Sequence, residues 1–360
     1  MATRYRLIRA RELDASLEAA WRAIQDSQPH FRSPYFCPEF TRLVASVRRD
    51  ASLVVIENAG RPVGFFPFQR SRLDGGKPIG GPLSDYHGVI AEAGSDWSPE
   101  DLLRAARLGA WSFDHLVDPD GRFAAHTTGQ ATSPTMDLAG GYPKYAEDKR
   151  AAGSDFIRKT EGLARKLARE AGELSFQLNE PGAALDQLMR WKSIQYREAD
   201  LPDAFAVAWT RKLLHRLART RGETGFAGLC SVLRAGDRVV AVHMGMRSST
   251  ELHYWFPAYD PEFAKYSPGG ILLLRLAETL AEQGVRFIDL GKGDSPYKQR
   301  LMTDAVPLME GYVERPCLVS SVRQWLRSGK ARAEQGTLPT AERFALRVLN
   351  RIRWRTRYLD

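Results

Sequence analysis

Residues 251–299 read ELHYWFPAYDPEFAKYSPGGILLLRLAETLAEQGVRFIDLGKGDSPYKQ. The stretch predicts a strand, a loop, a helix, a second strand and a second loop. Ser267-Pro268-Gly269-Gly270 marks the helix start, because serine suits the N-cap, proline suits the first turn, and two glycines leave backbone N–H groups uncovered. Leu272, Leu273, Leu276 and Leu280 then share one face, while Arg275, Glu278 and Glu282 take the other. Gly284 closes the helix before a buried strand over 285–290. In such a βαβ unit the strands run parallel and the helix N-terminus lies near the carboxyl end of the first strand. A helix start of this kind can hold an anion.

A chain of 360 residues, 43% hydrophobic and 26% charged, has the length for two domains and the apolar material for their cores. Cys37, Cys230 and Cys317 are widely spaced and form no CxxC pair, which points away from a zinc site or a disulfide framework and toward a reduced, cytoplasmic setting with no metal. The first twenty residues carry charges throughout, and the apolar run 270–274 stops at Arg275, so neither an export signal nor a membrane span is expected. The net charge is +9, but eleven Lys and Arg stand against three acids over 315–360, a net +8 that leaves only +1 for everything before. The body is near neutral, which argues against a nucleic-acid coat and makes tRNA an unexpected partner except along Arg158, Lys159, Arg165, Lys166 and Arg169.

In chain order, a strand is expected at 4–8, helices at 12–25 and 38–47, and a hairpin at 53–57 and 63–68 around Asn58-Ala59-Gly60-Arg61. A helix follows at 98–110 and short strands at 113–117 and 135–138. Residues 144–171 read as helix and basic, either a solvated face or a groove. Further helices are expected at 183–198 and 209–220, with a strand from 226. Residues 54–64 and 231–241 line up with one insertion, both strand, Ala-Gly turn, strand, and both after two helices. Two copies of one α/β fold are expected: a domain over 1–143, a basic helical connector over 144–175, a second domain over 176–316, and a basic helical tail over 317–360.

No Walker A pattern occurs, and Gly291-Lys292-Gly293 does not complete GxGxxG, so nucleoside triphosphates and dinucleotides lose ground to a pyrophosphate or phosphopantetheine carrier at residues 267–270. Tyr259-Asp260-Pro261, Tyr266-Ser267-Pro268-Gly269, Phe287-Ile288-Asp289-Leu290-Gly291-Lys292-Gly293-Asp294 and Tyr297-Lys298 resemble the CelD-like or BioF2-like acyltransferases of the GNAT superfamily, relatives of the FemAB ligases. Gly64-Phe65-Phe66-Pro67-Phe68 and Asp85-Tyr86-His87-Gly88 resemble their first-half signatures, so the likeness spans about 35–315. It implies two tandem GNAT-like domains with mixed central sheets flanked by helices. It also implies an acyl-CoA donor, acetyl-CoA or similar, on residues Tyr266, Ser267, Pro268, Gly269, Gly270 and Ile271. The loop departs from the usual Q/R-x-x-G-x-G/A. Holdfast and other exopolysaccharide N-acetyltransferases look closest, with an amino sugar or hydroxyl of a polysaccharide precursor as acceptor.

Acyl transfer needs a deprotonated nucleophile, an oxyanion donor and an acid for the leaving thiolate. Asp294 is the candidate base or substrate orienter, Tyr297 the thiolate acid or a substrate hydrogen bond, and Lys298 the charge stabiliser. Asp289 either contacts substrate or braces the loop. His243 lies on a small-residue face with Ala241 and Gly245, facing a cleft or satisfied in the core. Tyr254, Trp255 and Tyr259 offer aromatic faces to an acceptor, and Asp85, Tyr86 and His87 would serve it if both copies share one cleft. In the tail Arg343, Arg347, Arg351 and Arg355 repeat every four residues beside Phe344, Val348 and Ile352. Such a helix would meet an anionic membrane surface, placing the enzyme peripherally on its inner face, grip a cyclic di-GMP, or simply pack. The other readings are an aminoacyl-tRNA-dependent ligase of the FemAB kind and a non-catalytic effector.

Overall fold

The structure, a computed structural model, describes residues 3–71, 75–222 and 225–315; the tail reading therefore lies outside the described residues. The first half forms β1 (Arg4–Arg9), α1 (Ala15–Asp26), α2 (Pro38–Val47), β2 (Ala51–Asn58), β3 (Arg61–Arg70), β4 (Gly75–Pro78), β5 (Ile90–Ala91), α3 (Pro99–Ala105), β6 (Ala110–Leu116) and β7 (Thr127–Asp137). Then come α4 (Tyr142–Ala151), α5 (Phe156–Ala171), β8 (Leu174–Gln177), α6 (Ala183–Glu198), α7 (Ala208–Arg219), β9 (Ala227–Ala235), β10 (Arg238–Arg247) and β11 (Glu251–Tyr259). The described chain closes with α8 (Pro268–Glu282), β12 (Phe287–Asp289), α9 (Pro296–Leu301) and β13 (Asp304–Glu314).

The course strand, two helices, hairpin, strand, helix, parallel strand occurs twice, once from β1 to β6 and once from β8 to β12. Both hairpins turn where the sequence placed them. Ala59 and Gly60 take φ of 51° and 79°, and Gly236 takes 56°, the positive angles that let a tight turn follow the twist of its strands.

Two compact units result, one from residues 3–27, 44–130 and 309–315, the other from 28–43 and 131–308. The first unit orders its strands β1-β2-β3-β4-β6-β13, with β4 and β6 parallel and β5 against β3. Its core gathers Val54, Phe66, Phe68, Trp111, Phe113 and Val313. The second orders its strands β8-β9-β10-β11-β12-β7, with β11 and β12 parallel. There Leu272, Leu273, Leu276 and Leu280 of α8 pack with Leu229, Leu233, Leu252 and Ile288.

The strand after each copy's parallel strand joins the other copy's sheet. Thus β7, which follows β6, pairs with β12 (Asp289↔Thr135), and β13, which follows β12, pairs with β6 (Val313↔Trp111). The boundaries expected at 143 and 176 differ from these units for that reason, and because 28–43 belongs with the later residues. The expected connector is part of the second unit: Ile157, Thr160, Ala164 and Leu167 of α5 are buried at helical spacing, while its Arg and Lys residues face outward. The strand expected at 285–290 is shorter, since only Phe287–Asp289 pair.

Candidate active site

In the second unit β11 and β12 pair over three positions, Glu251↔Phe287, Leu252↔Ile288 and His253↔Asp289, and then part. β11 runs on to Tyr259 while β12 ends, so among the described residues the far half of β11 has an edge without a strand partner on that side. At the apex of this wedge His253 and Asp289 are fully buried, with His253 Nδ1 3.1 Å from Asp289 Oδ1. The same carboxylate oxygen accepts from Ser133 Oγ at 2.8 Å and from the Gly291 amide at 2.7 Å. Asp289 thus braces the loop that follows it. Tyr35 stands edge-on to His253, its ring centre 5.0 Å away, and also meets Trp255. Two residues back on the same face, Glu251 accepts from Arg32 Nε at 2.6 Å. Burial and neighbouring Asp289 push the Glu251 carboxyl upward against the opposing pull of Arg32.

The start of α8 borders the open end of the wedge. Ser267 does not cap the helix with its side chain as expected: it holds φ of 52°, as the left-handed end of the 3-10 turn Pro261–Tyr266. Its carbonyl accepts from the Gly270 and Ile271 amides, so the glycine pair leaves one of its two N–H groups, that of Gly269, outside the first helical turn. Among the described residues a methyl group at Gly269 would meet only the Tyr259 ring, at 3.7 Å. Tyr259 is among the few exposed large apolar side chains described. Pro268 and Ile271 are buried, and Tyr266 is buried with its hydroxyl donating to Glu170 at 2.5 Å.

The loop after β12 turns through Gly291 and Gly293, at φ of 78° and 109°, and leaves Asp294 exposed. Lys298 is buried, and its Nζ donates to the carbonyls of Gly291 and Lys292, each at 2.9 Å. Its charge therefore holds the loop, a different engagement from the charge stabilisation expected. Tyr297 is half-buried against the α8 core, and burial raises its pKa, so it stays protonated. It also acts electrostatically on Tyr254. Tyr254, expected to line a groove, is instead buried and stacked on His243 with ring centres 4.3 Å apart. His243 fills the space the small-residue face had suggested was open: a Cβ on Gly245 would come within 2.7 Å of its ring.

These features describe a mixed α/β unit whose two central parallel strands separate beside a glycine-bearing helix start. Residues 155–299 match the acetyltransferase (GNAT) domain family. The fold is that of the GNAT acyltransferases. FemX is similar at 11% identity and a TM-score of 0.53, over 86% of this chain and 98% of that one. The C-terminal domain of a protein assigned as a lysylphosphatidylglycerol synthetase from Agrobacterium fabrum is similar at 11% identity and 0.51, over 86% and 94%. A tandem GNAT protein from the clavulanic acid biosynthesis pathway is similar at 10% identity and 0.50, over 88% and 100%. At such identities the likeness is one of fold. No curated protein sequence matches the chain.

Within the GNAT domain, His243, Tyr254 and Tyr297 come together on the α8 side of the sheet, while Tyr259 and Gly269 meet at the helix start. Asp85, Tyr86 and His87 lie in the other unit. There His87 Nε2 accepts from the backbone amides of Asp114 and His115, at 3.2 and 3.0 Å, which fixes the ring to its own sheet. Sequence reasoning missed His253, Ser133, Arg32 and Tyr35. His253 was legible as the same-face neighbour of Glu251, two residues along the strand, but Arg32 and Tyr35 reach β11 from more than two hundred residues away. Among the described residues no helix is long and apolar enough to cross a membrane.

Proposed function

We propose that this protein is an acyl-CoA-dependent acyltransferase acting on an amino or hydroxyl group of a sugar unit in a surface-polysaccharide precursor. The observation that carries the reading is the wedge, where β11 and β12 part after His253↔Asp289 and the unpaired edge of β11 leads to the start of α8. An extended pantetheine arm fits that edge, because a strand without a partner offers amides and carbonyls in a row. The Gly269 amide and the positive end of α8 suit its pyrophosphate, and the exposed Tyr259 ring flanks the entry.

An acyl-CoA donor supplies an activated thioester; the chain's own groups do the rest. Tyr297, kept protonated by burial, gives its proton to the leaving sulfur. Lys298, through the Gly291 and Lys292 carbonyls, and Asp289, through the Gly291 amide, position the loop that presents Tyr297. The exposed Asp294 takes the proton of the acceptor at the mouth of the wedge, while His253 and Asp289, both fully buried, hold the strand ends behind it. The polysaccharide acceptor is supported by the resemblance of the 259–298 motifs to exopolysaccharide acetyltransferases.

Release of thiol from acetyl-CoA, followed with amino-sugar acceptors, tests the reading. Tyr297→Phe should lower kcat by on the order of a hundredfold while KM for acetyl-CoA changes little. Lys298→Ala should lower both kcat and melting temperature. Full activity in both variants would remove these assignments.

A further inference from the structure

Outside the wedge, the second unit carries a cleft of about 550 Å³ between the first turns of α6 and the ends of β9, β10 and β11. Its walls include Glu180, Arg190, Trp191, Arg234, Arg238 and Asp260. Two of the three guanidinium groups are neutralised in place. Arg234 grips Glu180 through two bonds, at 2.7 and 2.6 Å, and Arg238 reaches Glu262 at 2.7 Å and Asp260 at 3.3 Å. Arg190 differs. Its Nε and Nη2 both donate to Gln187 Oε1 on its own helix, and among the described residues it meets no carboxylate. Arg190 is therefore the one guanidinium of the cleft wall that, among the described residues, has no carboxylate against it.

Two further features fit a ligand to that charge. Ala183 and Ala184 line the cleft from the first turn of α6, whose N-cap is Gly182 at φ of 93°, a residue with no side chain to cap the turn. The amide end of the helix thus faces the same space as Arg190, and both favour an anion. Trp191, half-buried, adds an indole face to which the apolar face of a sugar ring can lie flat.

We propose that this cleft binds a sugar bearing an anionic group, phosphate or carboxylate, with the charge at Arg190 and the α6 amides and the ring against Trp191. The cleft shares a corner with the wedge: Asp260 in its wall caps the 3-10 turn that leads to Ser267, accepting from the Glu262 amide at 3.0 Å, and adjacent Tyr259 touches the Gly269 position. Its role as an acceptor subsite rests on the acyltransferase reading; the binding itself does not.

Calorimetric titration of the full chain with glucose 1-phosphate, galacturonic acid, glucose and inorganic phosphate tests this and separates the two sources of charge. At least one anionic sugar should bind saturably and glucose should not. Arg190→Ala should weaken binding at least tenfold with an unchanged melting temperature, since Arg190 is exposed and bonds only within its helix. Trp191→Leu should weaken the sugar more than inorganic phosphate. Acetyl-CoA should leave sugar binding intact. The proposal is overturned if no anionic sugar binds, if Arg190→Ala binds as well as wild type, or if acetyl-CoA displaces the sugar and loses the same affinity in Arg190→Ala, which would give the cleft to the donor. Sugar binding that persists in a protein releasing no thiol from acetyl-CoA would uphold the cleft and remove the acyltransferase reading instead.

Discussion

His243 keeps both ring nitrogens out of water and, among the described residues, without a hydrogen-bond partner, face to face with Tyr254. Burial, helped by the neighbouring His253, lowers its pKa to about 3, so the folded protein holds it neutral while the unfolded chain titrates near 6.5. Between those values the unfolded state binds the extra proton. Stability from this residue is therefore complete above about 6.5 and declines as pH falls toward 3, by about 1.4 kcal/mol per pH unit. His243→Phe keeps the stacked ring and removes the titration. Denaturant unfolding at pH 7, 6 and 5 should show the variant losing less stability on acidification than wild type; parallel losses would mean that other groups set the slope. The strand alternation around Ala241 and Gly245 made the direction of this side chain legible in the sequence. Whether its nitrogens find partners was not, because that depends on side chains brought in from other strands and helices.

At the scale of elements, α8 was legible because its leucines repeat at helical spacing and a glycine follows its end. Its entry was harder to read. A serine before a proline suggests an N-cap, yet Ser267 also ends the preceding 3-10 turn in a left-handed conformation, and its hydroxyl makes no capping bond. α5 shows the opposite difficulty: its basic residues are conspicuous, while its buried stripe includes the weakly apolar Thr160 and Ala164. Gly269 allows the donor reading of α8 to be tested apart from folding. Alanine there meets only ordinary contact with Tyr259 and removes a helical glycine, so stability should hold or rise by up to about 1 kcal/mol. If the donor's phosphates approach that amide closely, the added methyl should raise KM for acetyl-CoA about tenfold while leaving kcat nearly unchanged. An unchanged KM would move the phosphates elsewhere.

The whole molecule shows its repeat in the sequence, where the two Ala-Gly hairpins align, but not the exchange of final strands. The sequence reading expected only the end of β7, at 135–138, and no strand over β13; which sheet each completes is chosen by edges formed far away in sequence, which local pattern does not carry. The exchange has a physical consequence. A fragment of residues 1–140 carries β7 but lacks β13, leaving β6 without its closing strand; a fragment of 141–315 carries β13 but lacks β7, leaving β12 a three-residue strand paired on one side only. The second fragment also loses Ser133 from Asp289, and Arg32 and Tyr35 from the β11 face. Exposed strand edges of this kind associate nonspecifically. Each fragment produced alone should therefore aggregate or show no cooperative melting, whereas the two produced together should purify as one complex, because each holds the strand the other needs. Native-like circular dichroism and a cooperative melt from 141–315 alone would show that β7 is dispensable, and that the wedge stands without the strand bracing its second side.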